Sequence, residues 1–366
     1  MLVADPAFKP FAGRGGLAAA DNKAGREGAP PNSSSESRRG LASMQQGNSP
    51  PSPWVWLLLI VTTLMGGCTV LSDIERQLVF RPIVGESRSY AGPPKNTNEV
   101  WIPSGAAVLH AWWVTTGKAH NAAPAPVLLY LHGQRWNLSG HADRIARLHE
   151  LGFDILAIDY QGFGRSSAAL PSESSVVSDA HAAWKWLLPQ LEPAQPIYIY
   201  GHSLGAAIAV QLATDLSVSE RVAGLILDSA FTSMPDAAGQ LPGLGWLPIH
   251  GLMTQRFDSV ATINQVTVPI LFLHGSNDTV VPIKLGRALY DAAVGSRQWV
   301  VIDGAGHSDT LLSTGKEPRK ALRAFANLVK PTDAHPKKLC GVPDARATMR
   351  PRRAVSPTLH TQVLKT

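Results

Sequence analysis

The stretch that decides the fold is IYIYGHSLGAAIAVQLA, residues 197–213. Its first four residues predict a buried strand, and the apolar residues after the glycine-flanked serine predict a helix. Ser203 thus lies at a strand-to-helix turn, which is the pattern of a nucleophile elbow. Side chains in place of Gly201 and Gly205 would collide with the neighbouring strand and helix. The turn lifts the Ser203 hydroxyl clear of the sheet and places the Leu204 N–H where an oxyanion would form.

Apolar runs alternate with helical patterns on both sides of this elbow. Short loops join them, and the alternation predicts an α/β fold with a doubly wound, mainly parallel sheet. Functional sites in such sheets lie beyond the carboxyl ends of the strands. Further strands are predicted at 127–131, 155–158, 222–227, 270–275 and 298–302, and helices at 139–150, 172–188, 282–293 and 316–329, with Ser139 and Ser172 capping the first two.

Two segments depart from this alternation. Residues 72–105 predict a lead-in with two short strands, 78–80 and 100–102, followed by a hairpin strand at 108–114. Residues 232–266 carry several prolines and bulky apolar side chains. They predict a small helical cap inserted over the strand ends.

Two loops supply the groups that an activated serine needs. Asp278 follows the strand at 270–275, and His307 follows the strand at 298–302. A neutral hydroxyl is a poor nucleophile, so His307 is predicted to take the Ser203 proton as the hydroxyl attacks. Asp278 is predicted to be the acid that fixes the imidazole tautomer and stabilises its positive charge. Serine, aspartate and histidine in this chain order form a known hydrolase arrangement.

The choice of acid stays open at this point, because Asp159 and Asp228 also follow predicted strands. The strands before Asp228 and Asp278 are expected to be neighbours in the sheet, so either carboxylate could approach the His307 loop. Asp278 is favoured by its glycine-containing loop and by chain order. Asp228 is expected instead to tie down the entry to the cap.

The backbone N–H of Gln134 is the predicted second oxyanion donor, beside that of Leu204. Gln134 ends the stretch HGQ, residues 132–134, which directly follows a predicted strand. Other residues near these loops have structural explanations. His132 and Arg165 are expected to hold loops by hydrogen bonds to buried backbone. His202 is expected to be structural, and Asp309 to brace the histidine loop. Trp136 and Trp246 are expected either to line an acyl pocket or to pack as ordinary aromatics.

Five motifs follow one another along the chain: HGQ at 132–134, DYQGFGRS at 159–166, GHSLG at 201–205, GSND at 275–278 and GHSD at 306–309. In this order they resemble the α/β-hydrolase superfamily, over residues 78 to 329. Within it the chain is similar to compact-capped serine hydrolases, which include protein depalmitoylases and many bacterial hydrolases. The resemblance implies hydrolysis of an ester, thioester or amide through an acyl-enzyme, without a cofactor. No cluster of Cys, His and carboxylate residues in the sequence suggests a metal.

The positive net charge of +6 belongs to the ends of the chain. Residues 1–53 carry a net charge of +2 and residues 331–366 a net charge of +5, which leaves −1 for residues 54–330. The central domain therefore gives no reason to expect a nucleic-acid partner. Residues 1–53 predict a disordered or untranslated leader, and residues 331–366 predict a basic disordered tail. The domain between them is expected at 72–330, with its cap at 232–266.

An apolar segment precedes the domain. Residues 54–65 are too few to span a bilayer easily but suit a signal-peptide core. Cys68 follows after two glycines, in a pattern that resembles the bacterial lipobox, in which the cysteine becomes lipidated. Residues 54–68 therefore predict a membrane-anchored lipoprotein of the bacterial cell envelope. The alternative is an uncleaved signal anchor, since the run 54–71 is uncharged.

The chain has two cysteines, Cys68 and Cys340. Lipidation of Cys68 would leave no intramolecular disulfide, so the stability would come from the core.

The leading functional hypothesis is a serine hydrolase of carboxylic esters or thioesters, with a small-molecule or lipid ester as its substrate. One alternative is an aminopeptidase-like amidase, which would need an acidic clamp for a substrate amine. The predicted cap offers only Asp236 and Asp258 for that purpose. The other alternative is a catalytically silent lipoprotein that binds a lipid, against which the intact serine, aspartate and histidine argue.

Overall fold

The computed structural model describes residues 69–87, 90–117, 124–193, 195–243, 246–312 and 315–328. The chain divides into two units, Met1–Leu57 and Leu58–Thr366, and every described residue belongs to the second. The expected leader, the apolar segment with Cys68 and the basic tail with Cys340 lie outside the described residues.

The described strands form one eight-stranded sheet in the order β1-β2-β4-β3-β5-β6-β7-β8. β1 and β2 form an antiparallel hairpin, and β2 pairs antiparallel with β4. The pairs from β4 to β8 are all parallel. The predicted α/β class and mainly parallel sheet are therefore confirmed. The bounds are β1 Thr97–Ser104, β2 Ala107–Val114, β3 Val127–Leu131, β4 Asp154–Ile158, β5 Ile197–His202, β6 Val222–Asp228, β7 Ile270–Gly275 and β8 Arg297–Ile302.

The helices begin and end close to the predicted positions, because capping residues and prolines mark them in the sequence. Ser172 caps α3 in a reciprocal arrangement in which its hydroxyl accepts the Ser175 N–H and the Ser175 hydroxyl accepts the Ser172 N–H. The helices are α1 (the described part, residues 69–80), α2 Leu138–Glu150, α3 Glu173–Leu187, α4 Leu204–Ala213, α5 Leu216–Ser219, α6 Met234–Gly239, α7 Ile249–Leu252, α8 Ser259–Thr262, α9 Ile283–Ala292 and α10 Glu317–Leu328.

The predicted cap of α2 is wrong. Asn137, not Ser139, is the N-cap, and its side-chain oxygen accepts the Ser139 N–H at 3.1 Å. The Ser139 hydroxyl is occupied elsewhere, since it accepts a hydrogen bond from the Ser87 N–H at 2.7 Å. The serine therefore helps to fix the preceding loop.

The strand predicted at 78–80 is also wrong, because these residues end helix α1. Three consecutive apolar residues fit a buried helix end as well as a strand. Phe80 is fully buried, with its ring 5.9 Å from that of Phe257. On the same helix, the Glu75 carboxylate accepts hydrogen bonds from the Thr254 N–H at 2.7 Å and the Gln255 N–H at 2.8 Å. These contacts dock α1 on the segment that follows α7.

The strands at the centre of the sheet are buried on both faces. Every residue of β3, β5 and β7 is buried, as their continuous apolar runs predict. Nine of the ten residues of α4 are also buried, which places the elbow helix at the centre of the domain. Residues 232–266 hold the short helices α6, α7 and α8 and a 3₁₀ turn at Ile263–Gln265.

Candidate active site

The turn at Ser203 has the geometry that the glycines predict. Ser203 adopts φ +54° and ψ −116°, a conformation that costs a non-glycine residue on the order of 1–3 kcal/mol. A Cβ atom at Gly201 would lie 2.2 Å from the Gly205 oxygen, and one at Gly205 would lie 2.1 Å from the Leu131 oxygen. The Ser203 N–H is anchored by a 2.8 Å hydrogen bond to the backbone oxygen of Asp228. The strained turn is therefore held from both sides.

Three predicted residues meet at this turn. His307 Nε2 lies 2.9 Å from Ser203 Oγ, and His307 Nδ1 lies 2.8 Å from Asp278 Oδ2. The Asp278 carboxylate is fully buried, whereas the His307 side chain is 12% exposed. A hydroxyl, an imidazole and a carboxylate in this line are the parts of an activated nucleophile.

The carboxylate of Asp278 is fixed by further contacts. Its Oδ1 accepts the N–H groups of Val280 at 2.9 Å and Val281 at 2.8 Å. Burial raises the pKa of Asp278, but the hydrogen bond and charge of His307, the Val281 N–H and nearby His274 outweigh this and hold the pKa below its usual value. Asp278 is therefore ionised at neutral pH and holds His307 Nδ1 in the protonated form.

His274 is a neighbour of the acid that the sequence did not single out. Its ring is buried, and its Nε2 lies 2.9 Å from the Val281 oxygen and 3.5 Å from Asp278 Oδ2. The ring thus fixes the turn whose N–H groups bind the acid. Its place at the end of a buried strand, four residues before Asp278, was the available signal.

The two predicted oxyanion donors flank the elbow. Leu204 begins α4, so its N–H has no acceptor within the helix and lies at the positive end of the helix dipole. A Cβ atom at Gly133 would lie only 3.3 Å from Ser203 Cβ, so the backbone leading into Gln134 passes beside the serine. The role of both N–H groups stays a prediction.

Neither rival carboxylate contacts the histidine ring. Asp159 accepts the Leu138 N–H at 2.8 Å and lies 3.5 Å from His110 Nδ1. Asp228 is fully buried and binds Arg144. Of the three aspartates, Asp278 is the one that reaches His307.

The Arg144–Asp228 ion pair corrects the expectation that Asp228 ties down the cap. Arg144 extends from α2, and its guanidinium also donates to the Ser308 oxygen at 2.6 Å and to Thr310 Oγ1 at 3.2 Å. Thr310 donates to Asp228 at 2.7 Å, and the Tyr200 hydroxyl donates to the same carboxylate. The pair therefore fixes the loop that carries His307. A charged residue on the buried face of a predicted helix was the signal for it.

His202 and Asp309 support the same loop. The His202 Nε2–H donates to the His307 oxygen at 2.9 Å, and burial lowers the pKa of His202 so that the ring is neutral. Asp309 Oδ1 accepts the Gly306 N–H at 2.6 Å.

His132 and Arg165 differ in their environments. His132 is fully buried, and its Nδ1–H donates to the Gly133 oxygen at 2.7 Å, a backbone contact of the expected kind. The expectation is wrong for Arg165, which instead forms a surface ion pair with Glu99 at 2.7 Å. Trp136 and Trp246, at 45% and 80% exposure, are not packed in the core.

Across residues 69–87, 90–117, 124–193, 195–243, 246–312 and 315–328, no group of three or more Cys, His, Asp or Glu residues is placed to bind a metal ion. Within those same ranges, no helix has both the length and the apolar character that crossing a membrane requires.

A serine elbow on a mainly parallel sheet, with an acid loop and a histidine loop at its carboxyl edge, defines a class of hydrolase. The sequence model of the Hydrolase_4 family, described as serine aminopeptidase S33, matches residues 122–261. The uncharacterized protein MT2364 of Mycobacterium tuberculosis (strain CDC 1551 / Oshkosh) is 32% identical over 270 residues, which are 73% of this chain and 92% of that protein. The chain belongs to the α/β-hydrolase superfamily.

Further similarities are narrower. Lysophosphatidylserine lipase ABHD12 of Danio rerio is 36% identical over 186 residues, which are 47% of this chain and 48% of that protein. The esterase Pf2001 of Pyrococcus furiosus superposes with a TM-score of 0.54 at 19% identity, over 67% of this chain and 98% of that chain. Est1E of Butyrivibrio proteoclasticus with ferulic acid bound gives a TM-score of 0.52 at 20% identity, over 63% and 98%. These two structures show the shared fold.

Proposed function

We propose that the chain hydrolyses carboxylic esters or thioesters through an acyl-enzyme. Ser203 is the nucleophile, His307 the base and Asp278 the acid of this proposal. The observation that carries it is the line of hydrogen bonds from Ser203 Oγ through His307 to Asp278, at 2.9 and 2.8 Å. The proposed reaction needs only the substrate and water from outside the chain.

In the first half-reaction, His307 Nε2 accepts the Ser203 proton while Ser203 Oγ attacks the substrate carbonyl carbon. The carbonyl oxygen becomes an oxyanion, which the N–H groups of Gln134 and Leu204 stabilise. The tetrahedral intermediate collapses, the bond to the leaving group breaks, and the imidazolium gives its proton to that group. Asp278 stabilises the imidazolium throughout but remains ionised.

In the second half-reaction, a water molecule takes the place of the leaving group. His307 accepts one of its protons, and the hydroxide attacks the acyl carbon through a second oxyanion. The intermediate collapses to a carboxylic acid, and the proton on His307 returns to Ser203 Oγ.

The substrate class is proposed as a small-molecule or lipid ester. The name of the ABHD12 relatives assigns a lipid ester to those proteins. The chain spans about half of their length.

An amidase that clamps a substrate amine is disfavoured because the carboxylate of Asp236 already has partners within the chain. Its carboxylate accepts hydrogen bonds from Thr232 Oγ1 at 2.6 Å and Ser233 Oγ at 2.7 Å, and it lies 3.2 Å from His250 Nε2.

We also propose that the protein is a lipoprotein of the bacterial cell envelope, anchored through Cys68, with an uncleaved signal anchor as the alternative. The sequence pattern at 54–68 supports this proposal. Intact-mass analysis after detergent extraction tests it. A mature chain that begins at a lipidated Cys68 agrees with the lipoprotein, whereas a mass that retains residues 54–67 indicates the signal anchor.

Covalent labelling with a fluorophosphonate probe tests the catalytic proposal. Wild-type protein should be labelled and should turn over p-nitrophenyl esters, and a panel of graded acyl length should reveal the preferred chain. Ser203→Ala should lose both properties while it keeps its circular dichroism spectrum. A folded wild-type protein that neither reacts with the probe nor hydrolyses any ester would favour the silent lipid-binding protein.

A further inference from the structure

An apolar strip is exposed along α1. Val70, Leu71, Ile74 and Leu78 are between 49% and 64% exposed. At 3.6 residues per turn, the four side chains fall within one arc of about 100°. Glu75 lies beside this arc and binds the cap, so the strip borders the docked side of the helix.

Two further exposed apolar residues lie two positions along the chain from residues that contact α1. Leu252, 60% exposed, ends α7 two residues before Thr254, which binds Glu75. Trp136, 45% exposed, follows two residues after Gln134, whose side-chain Nε2 donates to the Leu78 oxygen at 2.7 Å. We refer to these six residues, Val70, Leu71, Ile74, Leu78, Trp136 and Leu252, as the apolar face.

The apolar face lies beside the candidate active site. Gln134 contacts the end of α1 with its side chain, and its own N–H is a proposed oxyanion donor. The preceding Gly133 backbone passes close to Ser203, since an added Cβ would lie 3.3 Å from Ser203 Cβ. One residue thus connects the exposed strip to the proposed catalytic serine.

The path of the chain indicates what covers this face. Val70 and Leu71 end the uncharged run 54–71, and Cys68 lies one residue before the described part of α1. With either proposed anchor, the membrane attachment therefore reaches the start of α1. Twelve helical residues extend only about 18 Å, so the candidate site stays close to the attachment point.

The chemistry of the face suits a lipid surface. Helices that lie in a membrane interface bury an apolar side, and tryptophan is enriched at that depth. The exposed cations Arg81 and Arg135 follow Leu78 and Gln134 closely in the chain, where they can meet lipid phosphates.

We propose that the apolar face seats on a lipid bilayer, so that a lipid ester passes from the membrane directly to the Ser203 site. This inference rests on the proposed membrane anchor and on the proposed ester hydrolysis.

A fluorescent probe on the full chain in phosphatidylcholine–phosphatidylglycerol vesicles tests the proposal. Leu252→Cys, made together with Cys340→Ser, carries the environment-sensitive NBD label, and the parent Cys340→Ser protein serves as the labelling blank. Leu216→Cys is the matched control, because Leu216 is a 76% exposed leucine that follows α4. Since α4 runs back from the carboxyl edge of the sheet, Leu216 lies at the opposite edge from Ser203.

The label at position 252 should shift to shorter wavelength on vesicles and be quenched by nitroxide lipids, while the label at 216 should be quenched by aqueous iodide. Quenching of the 252 label by iodide would overturn the proposal, because the face would then be in water. Protection from both quenchers would overturn it as well, by assigning the face to a second copy of the chain. If the chain does not float with the vesicles, the proposed membrane anchor is refuted, and the seating of the apolar face is refuted with it.

An activity measurement separates this proposal from the proposed function. Ile74→Ser with Leu252→Ser should keep the turnover of a soluble p-nitrophenyl ester, and it should lose about tenfold of the turnover of an ester embedded in vesicles. Equal rates of the wild type and the double variant on the embedded ester contradict membrane seating, even where the rate on the soluble ester is normal. Loss of all activity in the wild-type chain would instead refute the proposed hydrolysis.

Discussion

Replacing Arg144 by methionine tests its deeply buried ion pair with Asp228, beside the candidate site. The Arg144 side chain is 3% exposed and the Asp228 side chain is 0% exposed. The change leaves the Asp228 carboxylate without its cation and removes the donors to the Ser308 oxygen and Thr310 Oγ1. Removing one partner of a buried ion pair costs about 3–5 kcal/mol, because a charge remains uncompensated in the interior. That is a large part of the 5–15 kcal/mol that typically stabilises a domain.

Urea denaturation measures this cost, with Arg165→Met as the matched control. Arg165 also pairs with a carboxylate, that of Glu99, but both side chains are about two-fifths exposed. Such surface pairs contribute about 0–1 kcal/mol. The double variant Arg144→Met with Asp228→Leu should recover part of the loss, since it removes both charges together.

A second measurement on the same variant addresses the position of His307. Because Arg144 holds the residues that directly follow the histidine, Arg144→Met should lower kcat for a soluble ester more than it raises KM. A free-energy loss as small as that of Arg165→Met, or an unchanged kcat in the folded variant, would refute the role given to this pair.

Four other predictions concern the proposed catalytic groups. His307→Ala should lower kcat by several orders of magnitude with little loss of stability, and near-normal ester turnover by the folded variant would refute its role as base. Asp278→Asn should lower kcat by roughly 10⁴, because the histidine tautomer is then wrong, whereas Asp228→Asn should mainly lower the urea midpoint; a larger kcat loss in the latter reverses the assignment. The native pKa of Asp278 is held below its ordinary value of 3.8, so its contribution to stability is present above that value and is lost as the pH falls through the native pKa. Urea midpoints of Asp278→Asn should therefore fall less steeply than those of wild type on acidification. Gly205→Ala should fail to give a soluble folded protein, because its Cβ would meet the Leu131 oxygen at 2.1 Å, and a stable active variant would contradict that reasoning.

The parts of the structure that the sequence predicted are those fixed by local or steric rules. The continuous apolar runs of β3, β5 and β7 predict burial, and these strands are buried. At the elbow, the backbone around Gly201 and Gly205 leaves no space for a side chain. Chain order favoured Asp278 as the partner of His307, and the two residues follow β7 and β8, which are neighbours in the sheet.

The missed features depend on contacts between distant residues. Arg144 and Asp228 are 84 positions apart, and no local pattern joins an arginine on a helix to an aspartate at a strand end. The end of α1 was mistaken for a strand because three apolar residues have no readable period. The helix docks through Glu75 on Thr254, which is 179 positions further along the chain, so no local pattern predicts that contact.

The topology explains why a buried ion pair lies where it does. His307 follows β8, whereas Ser203 follows β5, so the histidine loop crosses three strand spacings, or about 14 Å, along the carboxyl edge of the sheet. The loop has a contact at each strand that it crosses: Asp278 after β7, Asp228 at the end of β6 and His202 at the end of β5. The contacts at β5 and β6 carry no proposed chemistry, and the buried carboxylate at β6 is the one that pairs with Arg144. The pair at β6 therefore supports the middle of the loop that carries His307 from the edge of the sheet to Ser203 near its centre.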